Sequence, residues 1–507
     1  MKKVISLILC VLLVLSPLAV AASAADFDKP VTIFVDGLNT CDVFNTKSNE
    51  QIIPPSGDAI LGQVTGNLGP IIASVLTGNY HIMEDELFEA LDVIFGPMLC
   101  DENGRGIDTR NGYQIPTEDE IREFVESRDP AASPDDNYIR FTYNWCESIQ
   151  NIAADLRTLI ERVVAVTGED VALIGFSMGT CVVASYLKMY DYEYVDSVVL
   201  LAGAYNGVSC CGEPFSYQLG TDSDAIVRFV ESLMTGNDAT NVFLRNLMLL
   251  LNKQGILDFA VDKIVWRLVE QLGDRVYDEA MPKIFARLPG LWSLVSLKDY
   301  PAARALIVKS GMYDDEYLAM LDWYHNEVQV NMESLLQGCL DRGIHLGIVA
   351  KYGFANVPVI PDYNRMSDTV ISSCDEAYGA TFADVGSTLG DGYTQAVQNG
   401  HNCLSPDNMV DSSTCTFCDY TWFVKNLTHA RMPDCVFELS DYIINAKAQP
   451  TVWDGTFSQF LVFTPDETLE TLNAENDYSI YTAAPRSTNV FKLFFNTVKS
   501  LFGLLKK

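Results

Sequence analysis

The sequence predicts an α/β fold with a mostly parallel sheet and a helical insertion, and three observations carry that expectation. Residues 170–187, DVALIGFSMGTCVVASYL, read as a short apolar run, a glycine-flanked break and a second run with helix-compatible periodicity. Before this stretch, Ile149, Ile152, Ala153, Leu156, Ile160 and Val163 recur at helical spacing and Gly168 closes the helix; after it, VDSVVLLA at 195–202 reads as another buried strand. Strands this continuously apolar belong to a sheet covered on both faces, the usual state of a parallel sheet. Between residues 206 and 343 the alternation stops and only helical patterns remain.

The first residues read as an address. Lys2 and Lys3 precede an apolar run over residues 4–15, and Ala22-Ser23-Ala24 offers a small-x-small cleavage site, so residues 1–24 are expected to be a signal peptide and the mature chain to be secreted. A chain of 507 residues can bury a sizeable core, and a net charge of −33 argues against nucleic acid as a partner. Cys10 lies within the leader, which leaves an even number of the 13 cysteines in the mature chain. Disulfides among them suit an exported protein, although the spacing leaves their pairing open.

Residues 25–207 form the first part of the expected core. A strand at 31–35 ends in Asp36-Gly37-Leu38-Asn39; residues 51–136 give mixed signals, with helical runs near Ile71 and Leu87 and a polar loop at 101–112. His81 in this region reads as structural. Residues 138–143 (YIRFTY) are again a strand, running into Asn144-Trp145-Cys146 and the helix before the glycine-flanked break. That break, Gly175-Phe176-Ser177-Met178-Gly179, has the G-x-S-x-G pattern of a nucleophile elbow. A sharp strand-to-helix turn pushes the Ser177 hydroxyl into the open, and Gly175 and Gly179 avoid clashes that side chains would make with the neighbouring backbone.

The run FTYNWCESIQNIAADLRTLIERVVAVTGEDVALIGFSMGT resembles the corresponding stretch of lecithin:cholesterol acyltransferase-like α/β-hydrolases and, more loosely, of the GPI inositol-deacylase and lipase group. That family carries tyrosine, aspartate, tryptophan and arginine where this chain has Tyr143, Asn144, Trp145 and Cys146. The resemblance implies an α/β-hydrolase fold with Ser177 as the nucleophile. It also implies an oxyanion hole built from main-chain N–H groups, one from the loop after the early strand and one from the residue after the nucleophile, which casts Leu38 and Met178 as donors.

Residues 208–342 are expected to form a helical lid or cap, since an all-helical insertion after a core strand resembles the lid of lipases. His325, beside Trp323 and Tyr324, reads as packed. The core resumes over residues 343–449, beginning with the strand HLGIVAKY at 345–352. Asp368, within Arg365-Met366-Ser367-Asp368-Thr369-Val370 after that strand, is the expected acid of a triad, with Asp362, Asp375 and Asp384 as competitors. Five histidines occur in the chain, and the order serine, acid, histidine leaves only His401 and His429 for the base. His429 follows the strand-like YTWFV by a short loop and precedes a helical stretch, which makes it the expected base.

His401 with Cys403, Cys415 and Cys418 could alternatively bind zinc, and Asp407 and Asp411 calcium, but oxidation of the cysteines is the expected state in an exported chain. Residues 450–485 read as a hairpin and linker. In the tail, 486–507, Phe491, Phe494, Phe495, Val498, Phe502 and Leu505 share one helical face with lysines off it, which suits peripheral contact with an anionic membrane. Together these features predict a secreted serine esterase or lipase acting on an acyl ester or lipid, with Ser177, Asp368 and His429 as its triad and no cofactor. Acyl transfer, thioester hydrolysis, or binding without catalysis on the same fold are the alternatives.

Overall fold

A computed structural model describes residues 30–55, 68–129, 132–234, 238–473 and 475–476. The expected signal peptide and the amphipathic tail lie outside the described residues. Among those residues no helix is long and apolar enough to cross a membrane.

Eight strands form the central sheet: β1 (Thr32–Val35), β2 (Tyr138–Phe141), β3 (Val171–Phe176), β4 (Val195–Leu201), β5 (His345–Tyr352), β6 (Thr421–Lys425), β7 (Phe460–Phe463) and β8 (Leu469–Thr471). Their order across the sheet is β2-β1-β3-β4-β5-β6-β7-β8. Every neighbouring pair is parallel except the β7–β8 hairpin at the edge. The fold is therefore the expected α/β fold, a mostly parallel sheet with a helical insertion between β4 and β5.

The period-two alternation of a strand divides these apolar runs between two cores. Ile33, Val35, Leu173, Val198 and Leu200 face helix α1 (Ile149–Thr167) and helix α2 (Gly179–Tyr190), whereas Phe34, Ala172, Ile174, Val199 and Leu201 face helix α3 (Asp434–Ile444). Helix α1 begins at Ser148, whose side chain accepts the Asn151 N–H, and stops at Gly168, where φ is +74°. The stop at Gly168 is the one the sequence signals.

The insertion has a core of its own around Phe215, Tyr277, Trp292, Tyr300, Tyr317 and Leu321. Its last helix, Met332–Asp341, instead packs on the sheet through Met332, Leu335, Leu336 and Cys339, so physically the cap gives way to the core before β5 begins. A small antiparallel sheet of Val43–Asn45, Gln51–Ile53 and Thr109–Asn111 corrects the expectation of a plain polar loop at 101–112. Strands three residues long and half exposed carry no periodicity to detect.

At the end of β6, just before the loop that carries His429, the ammonium of Lys425 is buried against Asp407 at 2.8 Å, their side chains 1% and 3% exposed. Removing the carboxylate takes a close counter-charge from a buried ammonium. Asp407→Ala is expected to lower the free energy of unfolding in urea by about 3–5 kcal/mol; a loss under about 1 kcal/mol would show the pair to be dispensable.

Candidate active site

Ser177 sits between β3 and α2 with φ at +53°, the left-handed region that side chains rarely adopt. Its main chain is held from three sides. The N–H donates to the Leu201 carbonyl (3.1 Å), and the carbonyl accepts from the N–H groups of Thr180 (3.0 Å) and Ala204 (3.2 Å) and from the Thr180 hydroxyl (2.6 Å). Glycine is required at Gly179 because a Cβ there would lie 2.1 Å from the Val35 carbonyl oxygen. At Gly37 a Cβ would lie 2.9 Å from the Cβ of Ser177, so the loop after β1 can approach the serine only without a side chain.

His429 reaches Ser177 from the loop between β6 and α3, across 252 residues of sequence, with Nε2 at 2.9 Å from Oγ. Its Nδ1 lies 2.5 Å from Asp368 Oδ2, and its main-chain N–H donates to the Asp368 carbonyl at 2.7 Å. An ionised carboxylate only accepts, so Nδ1 carries the proton and Nε2 is left as acceptor for the serine hydroxyl. Asp368 is fully buried, and its other oxygen accepts the N–H groups of Val370 (2.9 Å) and Ile371 (2.8 Å). Burial alone would raise its pKa, but the His429 charge and hydrogen bond, with further donors, hold it below the usual carboxylate value. None of the competing aspartates meets the imidazole: Asp362 pairs with Arg365 at 2.9 Å, and Asp375 faces the same guanidinium at 3.9 Å.

Leu38 and Met178, the expected oxyanion donors, line the same cavity as Ser177 and His429, and neither amide has a main-chain acceptor among the described residues. The cavity measures about 580 Å³ and is walled by apolar groups such as Phe34, Val208, Leu291, Leu294 and Met432. Leu291 and Leu294 come from the helical insertion, which covers the site; Ser177 and His429 are each 9% exposed. Sequence reasoning passed over the polar exception in this wall. Arg140 bridges Asp36 at 2.9 Å and Asp135 at 2.7 Å, its guanidinium 4.6 Å from the centre of the Phe34 ring. Burial raises the pKa of Asp36 to about 6 against the opposing pull of Arg140. The Tyr143 hydroxyl fixes the Asp36 carbonyl at 2.8 Å, so the tyrosine of the motif at 143–146 supports the turn that carries Leu38.

Two further residues behind the site also went unassigned. The fully buried Lys351 donates from Nζ to the carbonyls of His429 (2.8 Å), Arg431 (2.9 Å) and Thr428 (3.3 Å), clamping the histidine loop. A lysine inside the apolar strand HLGIVAKY was the available signal. Glu376, also fully buried, lies within hydrogen-bonding reach of Asp368.

Elsewhere, His401 stacks on Trp453 with ring centres 4.1 Å apart, and the thiol of Cys415 turns to the Ala377 carbonyl at 2.7 Å. Among the described residues no group of histidine, cysteine and acidic side chains is arranged to hold a metal. The twelve described cysteines are all thiols, and the sulfurs of Cys403 and Cys418 lie 3.8 Å apart. His325 is packed as expected, stacked on Tyr300 and bonded to the Val295 carbonyl at 2.9 Å. His81 lies at the surface beside Glu84.

No family model matches the chain, and no curated protein matches it. Among solved structures, the crystal structure of the Tle4-Tli4 complex is similar over 37% of this chain and 48% of that chain, at 14% identity and a TM-score of 0.22. The match spans about half of that chain's length, and the reading of the site rests on the site's own geometry.

The raised pKa of Asp36 has a sign that can be tested. Its stabilising contribution is fully present below the unfolded value of 3.8 and is lost as pH rises through about 6. Urea unfolding at pH 4 and pH 7.5 is therefore expected to show a smaller fall in stability for Asp36→Asn than for the wild type. Equal falls would mean that the carboxylate pays no burial penalty.

Proposed function

We propose that the protein is a serine hydrolase of carboxylic esters that works through an acyl-enzyme. The observation that carries this reading is the unbroken line from Ser177 Oγ through His429 to Asp368, 2.9 Å and 2.5 Å, at the floor of an apolar cavity. His429, oriented by Asp368, takes the Ser177 proton at Nε2 while Oγ attacks the ester carbonyl. The N–H groups of Leu38 and Met178 stabilise the oxyanion. The imidazolium then protonates the departing alkoxide, and a water molecule activated by the same nitrogen releases the acid and regenerates the serine. No cofactor enters these steps.

An apolar wall extending from the serine suits an acyl chain or lipid-like group. Leu291 and Leu294 place part of that wall on the insertion, which supports its reading as a lid. Export through residues 1–24 and membrane contact through residues 486–507 belong to the same proposal, which sets the enzyme at the cell surface or outside the cell.

A fluorophosphonate probe is expected to label the purified protein and to leave Ser177→Ala unlabelled. With p-nitrophenyl esters, His429→Ala is expected to lower kcat by a factor on the order of 10⁴ to 10⁶, and Asp368→Asn by on the order of 10⁴. Turnover that rises with acyl length separates a lipase from a short-chain esterase. Absence of labelling under every condition, lipid included, would overturn the hydrolase reading in favour of a binding protein on a hydrolase fold.

A further inference from the structure

Behind the candidate triad lies a second buried carboxyl that the proposed chemistry does not use. Glu376 ends the short helix Ser373–Glu376, eight residues beyond Asp368, and is completely buried. Its Oε2 accepts the main-chain N–H of Lys351 at 2.8 Å. Its Oε1 is buried without a donor, yet the side chain is within hydrogen-bonding reach of Asp368. Two ionised carboxylates in that arrangement would repel. A buried carboxyl group that has an oxygen without a donor and a carboxylate within hydrogen-bonding reach is instead the place for a proton.

Charge balance leads to the same protonation state. Asp368 and Lys351 are the charged groups that bear on Glu376. With Lys351 cationic and Asp368 anionic, the buried set is neutral only if Glu376 holds its proton. The other titratable groups around it are uncharged or turned away. The Tyr205 hydroxyl donates to the Glu376 carbonyl (2.6 Å), the Cys415 thiol lies on the Ala377 carbonyl (2.7 Å), and Asp375 faces Arg365 (3.9 Å).

We infer that Glu376 is a positioning residue for the triad: a neutral carboxylic acid that anchors on the Lys351 N–H and donates its proton to the Asp368 carboxylate, fixing the face that Asp368 presents to His429. Burial and the neighbouring carboxylate both push the Glu376 pKa well above its ordinary value, in keeping with this arrangement. The inference rests on the hydrolase reading for its kinetic consequence but not for its structural one.

The test compares Glu376→Gln with Glu376→Leu in the full chain, by ester turnover across pH and by the downfield proton resonance of His429 Nδ1–H. Glutamine reproduces a neutral acid, with one acceptor for the Lys351 N–H and one donor for Asp368. Glu376→Gln is therefore expected to keep the wild-type kcat and the acid limb of the pH profile. Glu376→Leu is expected to lower kcat about tenfold to a hundredfold with KM unchanged and to broaden or shift the resonance. A Glu376→Gln profile or resonance titration moved to lower pH by about one unit or more would mean that glutamate had been ionised, which overturns the inference. So would a Glu376→Leu enzyme with wild-type kcat and resonance. Should Glu376→Leu fail to fold, the glutamine variant decides alone. Failure of the wild type to react with fluorophosphonate would sink the hydrolase reading separately, and the resonance would still report on Glu376.

Discussion

The left-handed backbone of Ser177 is the constraint on which the rest of the site depends. A non-glycine residue held in that region costs on the order of 1–3 kcal/mol and persists only where its surroundings over-determine it. Here the surroundings do so with main-chain groups from β4, the turn after it and the first turn of α2, together with the Thr180 hydroxyl, all converging on the main chain of one residue. The close packing of Gly179 on Val35 and of Gly37 on Ser177 follows from the same turn. The strain presents the hydroxyl to His429 and brings the Leu38 loop to the same cavity.

Electrostatics then divides the site into two zones. In front of the serine the cavity wall is mostly apolar, with the Arg140 and Asp36 pair held against Phe34. Behind the histidine lies a fully buried polar cluster in which Lys351, Asp368 and Glu376 share a few hydrogen bonds with main-chain groups. Such clusters are costly unless fully partnered, and this one is partnered chiefly by peptide groups, whose positions the sheet fixes. The imidazole stands at the boundary, stacked on Phe176 with ring centres 5.1 Å apart.

The sheet and the Ser177, Asp368 and His429 set were legible in the sequence because each follows from local chemistry. A buried parallel strand is continuously apolar, an elbow needs its glycines, and chain order with few histidines left little choice of base. What stayed hidden depends on contacts distant in sequence. Nothing near Glu376 announces that it faces Asp368, and Arg140 reads as an ordinary outward residue of YIRFTY until Asp36 is brought beside it. The strands at 43–53 and 109–111 were missed for a different reason, being too short for any period to show. Lys351 lies between these cases, since a cation inside a buried strand is an anomaly visible in the sequence, while its partners in the histidine loop are not.

The long separation between Ser177 and His429 has a consequence for the life of the chain. When a ribosome has delivered the elbow, the helical insertion and β5, the strand that carries the histidine loop has still to be made, and Ser177 lacks its imidazole partner. Emergence of β6 and docking of its following loop onto Lys351 complete the set in one late event. By this ordering the Ser177, His429 and Asp368 set comes together only when nearly the whole sheet is in place.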